Sequence, residues 1–267
     1  MQKGKISNAI RALGLIYLAD RLKYYLEKLN NKRMNKDFIR QNPDVKIPPD
    51  YLMYESYQLN YSRYFSDGLL TAKFIVSYIN NYIELEDKKI LDWGCGPGRI
   101  IRHLPNVMHE SCSFYATDYN KASIDWCSKN LTGIKFNLNS KLAELPYEDN
   151  FFDVIYGISI FTHLSEKQHS SWYLELHRIL APNGILYLTT QGDSFKFKLE
   201  GHEVDQFNNN QLVVRDKTKV GHRTFSAFQP TAFMIKLFSN AEILLHKKSE
   251  STNGNKPVQD IWIIRKK

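Results

Sequence analysis

A glycine-rich turn directly after a short apolar run constrains the fold of this chain more than any other feature. The stretch LDWGCGPGR spans residues 91–99 and has glycine at Gly94, Gly96 and Gly98. Glycine adopts backbone conformations that other residues disfavour, and it lets a ligand approach the main chain closely. A turn of this kind between a buried strand and a helix is typical of ligand sites in α/β proteins. The sequence therefore predicts a ligand site at the end of this strand.

Short apolar runs alternate with helical segments through the middle of the chain. This alternation predicts a parallel sheet with helices on both faces. Ligands of such sheets bind beyond the carboxyl ends of the strands. In the third helix, Trp172, Leu174, Leu176, Ile179 and Leu180 are predicted to face the sheet. The predicted strands cover residues 90–93, 114–117, 134–138, 154–158 and 185–190, and the predicted helices cover residues 98–105, 120–130 and 165–180.

The alternation stops after the fifth strand. Residues 193–229 are polar and aromatic, and we interpret them as an insertion over the carboxyl edge of the sheet. A helix is predicted to end at Phe238, followed by strands at residues 241–246 and 260–265. The connection SESTNGNKP suits a hairpin, so the last strand is predicted to be antiparallel. We therefore expect an α/β fold with a doubly wound, mostly parallel sheet.

The first 50 residues carry most of the net charge. They hold 11 Lys and Arg against 5 Asp and Glu, a net charge of +6 out of +8 for the whole chain. Because the rest is nearly neutral, we expect no nucleic-acid partner, although such a partner is the usual first interpretation of a basic pI. Apolar residues from Ile6 to Leu29 recur at helical spacing. Residues 1–50 are thus predicted to be a basic amphipathic helical extension with a Pro-rich connector at 41–50, and residues 51–267 the main domain.

The basic extension has three interpretations that the sequence leaves open. It packs on its own domain, rests on an anionic membrane surface as a peripheral contact, or joins two copies of the chain. The oligomeric state does not follow from the sequence.

The cysteine pattern and the apolar segments indicate the compartment. Cys95, Cys112 and Cys127 are widely spaced and form no CxxC pair, so we expect neither a disulfide framework nor a metal site. The longest apolar run near the start is interrupted by Gly14 and is shorter than the ~20 residues of a spanning helix. No cleavage site typical of secretion follows it. We therefore expect a cytoplasmic protein.

The spacing of the glycines narrows the class of ligand. They follow GxGxG, and Arg99 stands where the dinucleotide pattern GxGxxG would place its last glycine or alanine. Pro97 offers no N–H group to a phosphate. Asp118 lies twenty residues beyond Gly98, at the end of the second predicted strand, where a carboxylate accepts the hydroxyl groups of a ribose. These features favour a nucleoside ligand without phosphates.

Several stretches together resemble the class I S-adenosylmethionine-dependent methyltransferases. ILDWGCGPGR is similar to the first motif of that family, ATDYN to the second, and LPYEDNFFDVIYGISIFTHL and LHRILAPNGILYLTT to its later strands. The resemblance covers about residues 50–267. It implies a Rossmann-like, seven-stranded sheet of order 3-2-1-4-5-7-6 with strand 7 antiparallel. It also implies S-adenosyl-L-methionine as cofactor, with S-adenosyl-L-homocysteine as product.

The resemblance implies roles for individual residues as well. Asp92 would orient the amino group of the methionine moiety, and the backbone of Gly94 and Gly96 would meet the cofactor. Asp118 would bind the ribose, and Tyr119 would pack on the adenine.

One position departs from the pattern of the family. Where the family often has an acidic residue that binds the adenine amino group, this chain has Lys141. Adenine recognition is therefore assigned to the backbone near Leu142 and Ala143. Cys95, inside the turn, and Gly157, in the fourth predicted strand, complete the expected cofactor-binding set.

Other stretches resemble a bacterial subgroup that is often associated with gene clusters for surface polysaccharides or other glycans. They include PPDYLMYESYQLNY, FTHLSEKQH, GHRTFSAFQP and QDIWIIRK. This resemblance implies a small-molecule or glycan acceptor with a sugar hydroxyl as the methylated group. The sequence itself identifies neither the acceptor nor the atom.

Methyl transfer to a hydroxyl depends on positioning and benefits from a general base. His163, just past the fourth predicted strand, is expected at the carboxyl edge of the sheet, and histidine titrates in the useful range. His222, Glu203 and Asp205 are competing candidates from the insertion. The tyrosines of YQLNYSRYF either cover the cofactor or belong to the core.

Two other functions compete with that of a small-molecule or glycan O-methyltransferase. A nucleic-acid methyltransferase is disfavoured, because the chain has GISIF where base-amino methylation uses an Asn/Asp-Pro-Pro-aromatic stretch, and no cysteine follows a proline. A methyltransferase-like protein that binds the cofactor without turnover remains open, because Asp92, the glycines and Asp118 are all present.

Overall fold

The computed structural model describes residues 15–215, 225–249 and 257–267. In this part of the chain, nine strands form one seven-stranded sheet and one two-stranded sheet. The strands are β1 (Lys89–Trp93), β2 (Ser113–Asp118), β3 (Ile134–Leu138), β4 (Phe152–Gly157), β5 (Leu180–Thr190), β6 (Val213–Arg215), β7 (Ser226–Phe228), β8 (Ala241–Lys247) and β9 (Asp260–Lys266).

The large sheet has the order β3-β2-β1-β4-β5-β9-β8. The first five strands are parallel, and β9 is antiparallel to both of its neighbours. Numbered along the chain, this order differs from the expected 3-2-1-4-5-7-6, because β6 and β7 precede the last two strands and form a separate antiparallel pair. The predicted α/β, Rossmann-like class with a seven-stranded, mostly parallel sheet is confirmed.

Helices lie before, between and after the strands, and the helical extension is present at the start of the described chain. The prediction of a single helix at residues 98–105 is wrong. A 3-10 turn at Ile101–His103 leads instead into a four-residue helix with Pro105 in its first turn, where the missing N–H group costs no hydrogen bond. The helices are α1 (Ile16–Gln41), α2 (Asp50–Ser56), α3 (Tyr61–Ile79), α4 (Leu104–Val107), α5 (Lys121–Asn130), α6 (Glu166–Ile179), α7 (His202–Asn208) and α8 (Thr231–Leu237).

The hydrophobic core lies on both faces of the large sheet. On one face, Trp93 packs against Trp172 of α6, with ring centroids 5.1 Å apart. On the other face, buried residues of α3 and the 3-10 turn pack on β1, β2 and β4. The prediction that Leu174 faces the sheet is wrong, since 59% of the residue is exposed. Residues two apart on a helix point in nearly opposite directions, so Trp172 and Leu176 cannot share a face with Leu174.

The insertion begins and ends at the same place, beside the carboxyl end of β5. The N–H group of Gln191 donates to the side-chain oxygen of Gln229 at 2.9 Å, and the N–H group of Gln229 donates to the Gln191 carbonyl at 2.9 Å. Between these residues lie the 3-10 helix Asp193–Lys198, α7, β6 and β7. None of the described helices combines the length and the apolar character needed to cross a membrane.

Candidate cofactor and acceptor site

The glycine turn follows β1 and presents main chain to the space beyond the sheet. The N–H group of Gly94 donates to the Thr117 carbonyl at 2.8 Å. Gly94 has a φ of +80°, and a Cβ atom there would lie 2.2 Å from Cδ1 of Ile160. Gly96 has a φ of +52°, and a Cβ atom there would lie 3.2 Å from that of Ser56. Both positions therefore favour glycine through backbone conformation and lack of room.

Asp118, the last residue of β2, holds this turn in place. Its Oδ2 accepts the N–H group of Gly96 at 2.8 Å, and its Oδ1 accepts that of Asn120 at 2.7 Å. Burial raises the pKa of Asp118, the two backbone donors work against that rise, and Glu55 adds to it. Each carboxylate oxygen has a second lone pair. Asp118 can therefore accept a hydrogen bond from a ligand hydroxyl without releasing the turn.

Asp92, in the last part of β1, is a buried carboxyl group beside the same turn. Burial raises its pKa to about 7; the Tyr156 hydroxyl and Arg99 act in the opposite direction, and Asp118 acts in the same direction. The residue is 3% exposed. A positively charged ligand group beside such a carboxyl favours its ionised form. The position suits the ammonium group of a ligand.

A cavity of about 470 Å³ opens above the turn. It lies over the carboxyl ends of β1 and β4, where the strand order reverses and where ligands of such sheets bind. Glu55 and Ser56 of α2 line one side, and Phe195 of the insertion and Gln259 before β9 line another. A smaller cavity of about 90 Å³ adjoins it and is walled in part by Trp93. The two share Gly94, Asp118, Tyr119, Ile160 and His163.

The smaller cavity includes Tyr119 but not the two residues predicted beside it for adenine. The Nζ atom of Lys141 lies 4.8 Å from the centroid of the Tyr119 ring, and the lining ends at Lys141. Leu142 is 71% exposed, and its N–H group donates to Oγ of Ser140 at 3.0 Å. Ala143 packs on the core instead. In this segment, the residues that line the smaller cavity are Asn139, Ser140 and Lys141.

Cys95 and Gly157 differ in their relation to the cavity. Cys95 lines it, but its thiol points to the carbonyl oxygen of Gly96 at 3.3 Å, and burial raises the pKa of that thiol. Gly157 is absent from the lining of both cavities. A Cβ atom at Gly157 would lie 2.7 Å from the indole ring of Trp93 and 3.2 Å from Leu188. Gly157 thus makes room for Trp93 below the cavity, and its direct contact with the cofactor stays a prediction.

His163 lies where the sequence predicts it, in the 3-10 turn Phe161–His163 after β4, and it lines both cavities. Its Nδ1 atom is 3.0 Å from the carbonyl oxygen of Phe225, at the end of the insertion. A carbonyl only accepts hydrogen bonds, so Nδ1 carries the proton. In the neutral ring, Nε2 then carries the lone pair, and this is the state that a general base requires.

The competing candidates are placed differently. His222 lies outside the described residues. Glu203 is held by Arg215, whose Nε and Nη2 atoms donate to its two oxygens at 2.8 and 2.7 Å. Burial works to raise the pKa of Glu203, but the Arg215 contacts prevail and lower it. Neither Glu203 nor Asp205 lines the two cavities.

Sequence reasoning missed that α2 and Arg99 border the cavity. Arg99 follows the turn, and its guanidinium group lies 4.3 Å from the centroid of the Tyr57 ring. Its Nη1 atom donates to Oγ1 of Thr71 at 3.4 Å. No carboxylate of the described residues lies within ion-pair distance of Arg99. The signal in the sequence was the aromatic stretch from Tyr51 onward, whose tyrosines were candidates to cover the cofactor, and Tyr57 lines the cavity.

The described residues contain no group of three His, Cys, Asp or Glu side chains that could hold a metal ion.

Comparisons with known proteins relate part of this chain to the methyltransferases. Residues 90–184 match the family model described as a methyltransferase domain. A phthiotriol/phenolphthiotriol dimycocerosates methyltransferase of Mycobacterium ulcerans is 29% identical over 53% of this chain and 54% of its own length. A ubiquinone biosynthesis O-methyltransferase of Rickettsia prowazekii is 27% identical over 52% of this chain and 54% of its own length. The chain thus spans about half the length of these curated relatives.

The solved structures agree with this class at the level of the fold. A SAM-dependent methyltransferase of Methanosarcina mazei aligns with a TM-score of 0.53 and 21% identity, over 71% of this chain and 96% of that chain. Residues 90–184 therefore match a methyltransferase domain, and the solved structure of similar fold is named for its dependence on S-adenosylmethionine. The residues fit this cofactor, because Gly94 and Gly96 of the turn line the cavity and the carboxyl groups of Asp92 and Asp118 are buried beside it.

Asp92→Asn tests the buried carboxyl. Because the pKa of Asp92 is higher in the folded than in the unfolded chain, its protonation stabilises the folded protein. This contribution is fully present when the pH is below the unfolded pKa of about 3.8, and it is lost as the pH rises through the folded pKa of about 7. Because asparagine does not titrate, the unfolding free energy of the variant relative to the native chain should increase between pH 4.5 and pH 8. The expected change is on the order of 2–4 kcal/mol. Urea unfolding at both pH values measures it.

Asp44→Asn, at an exposed carboxyl in the connector after α1, is the control for that measurement. The difference between Asp44→Asn and the native chain should stay nearly constant with pH. A similarly constant difference for Asp92→Asn would contradict the prediction.

Arg99→Gln tests the cationic side of the cavity. We expect Arg99 to attract the carboxylate of the methionine moiety. Loss of one hydrogen bond to a charged group costs about 1.5–3 kcal/mol, so S-adenosylhomocysteine should bind roughly 10–100-fold more weakly to the variant. Binding of 5′-methylthioadenosine, which lacks the aminoacyl carboxylate, should be unaffected. Calorimetry with both ligands measures the two effects.

Arg63→Gln, at an exposed residue of α3 that does not line the cavity, is the matched control. An equal loss for both ligands in Arg99→Gln would mean that the turn itself had been disturbed, and would refute the assigned contact.

Proposed function

We propose that the chain is an O-methyltransferase that transfers the methyl group of S-adenosylmethionine to a hydroxyl group of a small-molecule acceptor, most specifically a sugar or glycan. The observation that carries this proposal is His163, which lines the cavity with Nδ1 held by the Phe225 carbonyl. When bound, the cofactor supplies an electrophilic methyl group on a sulfonium. The remaining requirement is an aligned hydroxyl group with a place for its proton.

His163 meets this requirement by receiving the proton. Its Nδ1–H group stays on the Phe225 carbonyl, which fixes the ring and leaves Nε2 as the basic atom. Protonation of Nε2 makes both ring nitrogens donors, so the hydrogen bond to Phe225 persists in the charged ring. The ring therefore accepts a proton without reorientation.

The cofactor contacts that we propose follow the positions around the turn. Asp92 takes the ammonium group, Gly94 and Gly96 offer their backbone, Asp118 accepts the ribose hydroxyls and Tyr119 packs on the adenine. For the adenine edge, Lys141 is better placed than the predicted Leu142 and Ala143, because it lines the smaller cavity.

The other end of the cavity has polar groups suited to a hydroxylated acceptor. Nε2 of Gln259 donates to Oγ of Ser159 at 2.7 Å, and Oγ1 of Thr189 donates to Oε1 of Gln259 at 2.7 Å. Phe195 adds an aromatic surface in the same cavity. Hydrogen-bonding side chains beside an aromatic ring suit a sugar, which has hydroxyl groups and apolar C–H faces. We propose that residues 193–229 are the acceptor-side insertion and that residues 1–50 are an accessory extension.

Two further observations support this assignment. The Rickettsia prowazekii relative is named as an O-methyltransferase, which favours oxygen as the methylated atom. Sequence stretches similar to the glycan-associated bacterial subgroup favour a glycan over other hydroxylated acceptors. A cytoplasmic location rests on the cysteine pattern of the sequence.

A transfer assay with S-adenosylmethionine labelled at the methyl group tests the proposed activity. The full chain should transfer label to at least one member of a panel of nucleotide sugars and lipid-linked saccharides, and alkaline treatment should leave the resulting ether intact. Label transfer to RNA or DNA alone would refute the acceptor class. Tight binding of S-adenosylhomocysteine without label transfer to any acceptor would instead favour a protein that binds the cofactor without turnover.

His163→Asn tests the proposed base. The asparagine amide can replace Nδ1–H as a donor to Phe225, but it has no basic atom, so kcat should fall roughly 100-fold or more. The affinity for S-adenosylhomocysteine should be unchanged. His109→Asn, at an exposed histidine that lines neither cavity, should keep both properties. Retention of native kcat in His163→Asn would exclude His163 as the base.

A further inference from the structure

The outer face of α1 carries an exposed apolar stripe. Leu18, Leu22, Leu26 and Leu29 follow one another at intervals of three or four residues, so they share one face of the helix. Their exposed fractions are 57%, 58%, 60% and 68%. Exposed apolar residues on solvated surfaces are normally scattered, whereas a contiguous group marks an interaction surface.

The opposite face of α1 fixes the helix to the domain. The ring of Tyr24 packs edge-on against those of Tyr51 and Tyr54, with centroids 5.4 and 5.3 Å away. The Nδ2 atom of Asn35 donates to the buried Leu59 carbonyl at 3.0 Å. Aromatic and polar contacts thus take the role that the leucines would have in a packed amphipathic helix. The leucine stripe is left pointing away from the domain.

Basic residues flank and extend this stripe. Lys32 lies beside it, and Arg33 and Lys36 follow Leu29 at intervals of four and seven residues, which places them on the same face. All three side chains are exposed. None of them forms an ion pair with a carboxylate of the described residues. The face is therefore apolar in its first half and cationic in its second.

The acidic side chains of α1 are engaged by other residues. Oδ1 of Asp20 accepts the Tyr54 hydroxyl at 2.8 Å. Glu27 pairs with a lysine one turn earlier at 3.6 Å, and Asp37 pairs with an arginine three residues later at 3.2 Å. The basic half of the face thus has no counter-charge of its own and is complementary to an anionic surface.

We propose that this face of α1 binds the surface of an anionic lipid bilayer. The leucines would enter the boundary between headgroups and acyl chains, and Lys32, Arg33 and Lys36 would contact the lipid phosphates. A second copy of the chain fits this face less well. In a symmetric contact between the two α1 faces it would cover the leucines, but it would bring the same basic residues against each other, so the cationic half would stay uncompensated.

The proposed contact lies one helix away from the cavity. α2 packs on α1 through Tyr51 and Tyr54 and lines the cavity through Glu55 and Ser56. A bilayer on the outer face of α1 would therefore lie close to the site and concentrate any acceptor carried on a lipid. This placement goes beyond the proposed transfer reaction and does not depend on it.

Co-sedimentation of the full chain with lipid vesicles tests the proposal. The chain should bind vesicles of phosphatidylcholine mixed with phosphatidylglycerol, should bind much less to phosphatidylcholine alone, and should dissociate as salt is added.

Each cationic residue at an anionic surface contributes roughly fivefold in affinity. The variant Lys32→Gln/Arg33→Gln/Lys36→Gln should therefore bind about 100-fold more weakly. Leu22→Gln/Leu26→Gln/Leu29→Gln should lose at least about tenfold, because apolar area is no longer buried.

Leu70→Gln/Leu174→Gln/Ile235→Gln is the matched control, since it replaces three exposed apolar residues on other helices. It should bind vesicles like the native chain. Absence of binding to the mixed vesicles would overturn the proposal, and so would an equal loss in the control.

Light scattering on the same proteins distinguishes the other occupant. A native dimer that becomes monomeric in the leucine variant would assign the face to a second copy and overturn the proposal. Affinity for S-adenosylhomocysteine, measured in parallel, should be unchanged in every variant. Its retention shows that the variants are folded, and label transfer to soluble acceptors tests the proposed reaction separately from vesicle binding.

Discussion

The hydrogen bonds accepted by Asp118 are the interaction on which the rest of the site depends. One carboxylate at the end of β2 holds the N–H group of Gly96 in the turn after β1 and the N–H group of Asn120 at the start of α5. Asn120 in turn caps α5 by accepting the N–H group of Ala122 at 3.0 Å. A buried carboxylate is costly unless it is hydrogen-bonded, so these donors favour a single arrangement of strand, turn and helix.

The N-terminal helices complete the site from the opposite side of this arrangement. The hydroxyl of Tyr64 in α3 donates to the Pro97 carbonyl at 3.2 Å, and a Cβ atom on Gly68 would lie only 2.3 Å from the Arg99 carbonyl oxygen. This close approach brings α3 against the turn, and α2 then borders the cavity. The cavity is thus built by the sheet edge and the N-terminal helices together.

Local patterns sufficed where a feature depends on neighbouring residues. Alternation of apolar runs predicted the strands, and the glycine spacing with Asp118 predicted the turn and its carboxylate. Local patterns do not show a residue's surroundings where these come from distant parts of the chain. The ring of Trp93 leaves no room for a side chain at Gly157, and Leu142 points to solvent directly after Lys141. Neither relation can be predicted from the neighbouring residues in the sequence. The error at Leu174 arose from strand-like spacing within a helix.

The sequence by itself determined the class of fold and the position of the ligand turn, because strand propensity, glycine conformation and the spacing to Asp118 act over short distances. Only the tertiary structure decided which groups meet in the cavity. The contact between His163 and Phe225 joins residues 62 apart in the chain, and the outward direction of the leucines on α1 follows from hydrogen bonds on its other face. Such relations depend on how elements pack, and packing is a property of the whole chain.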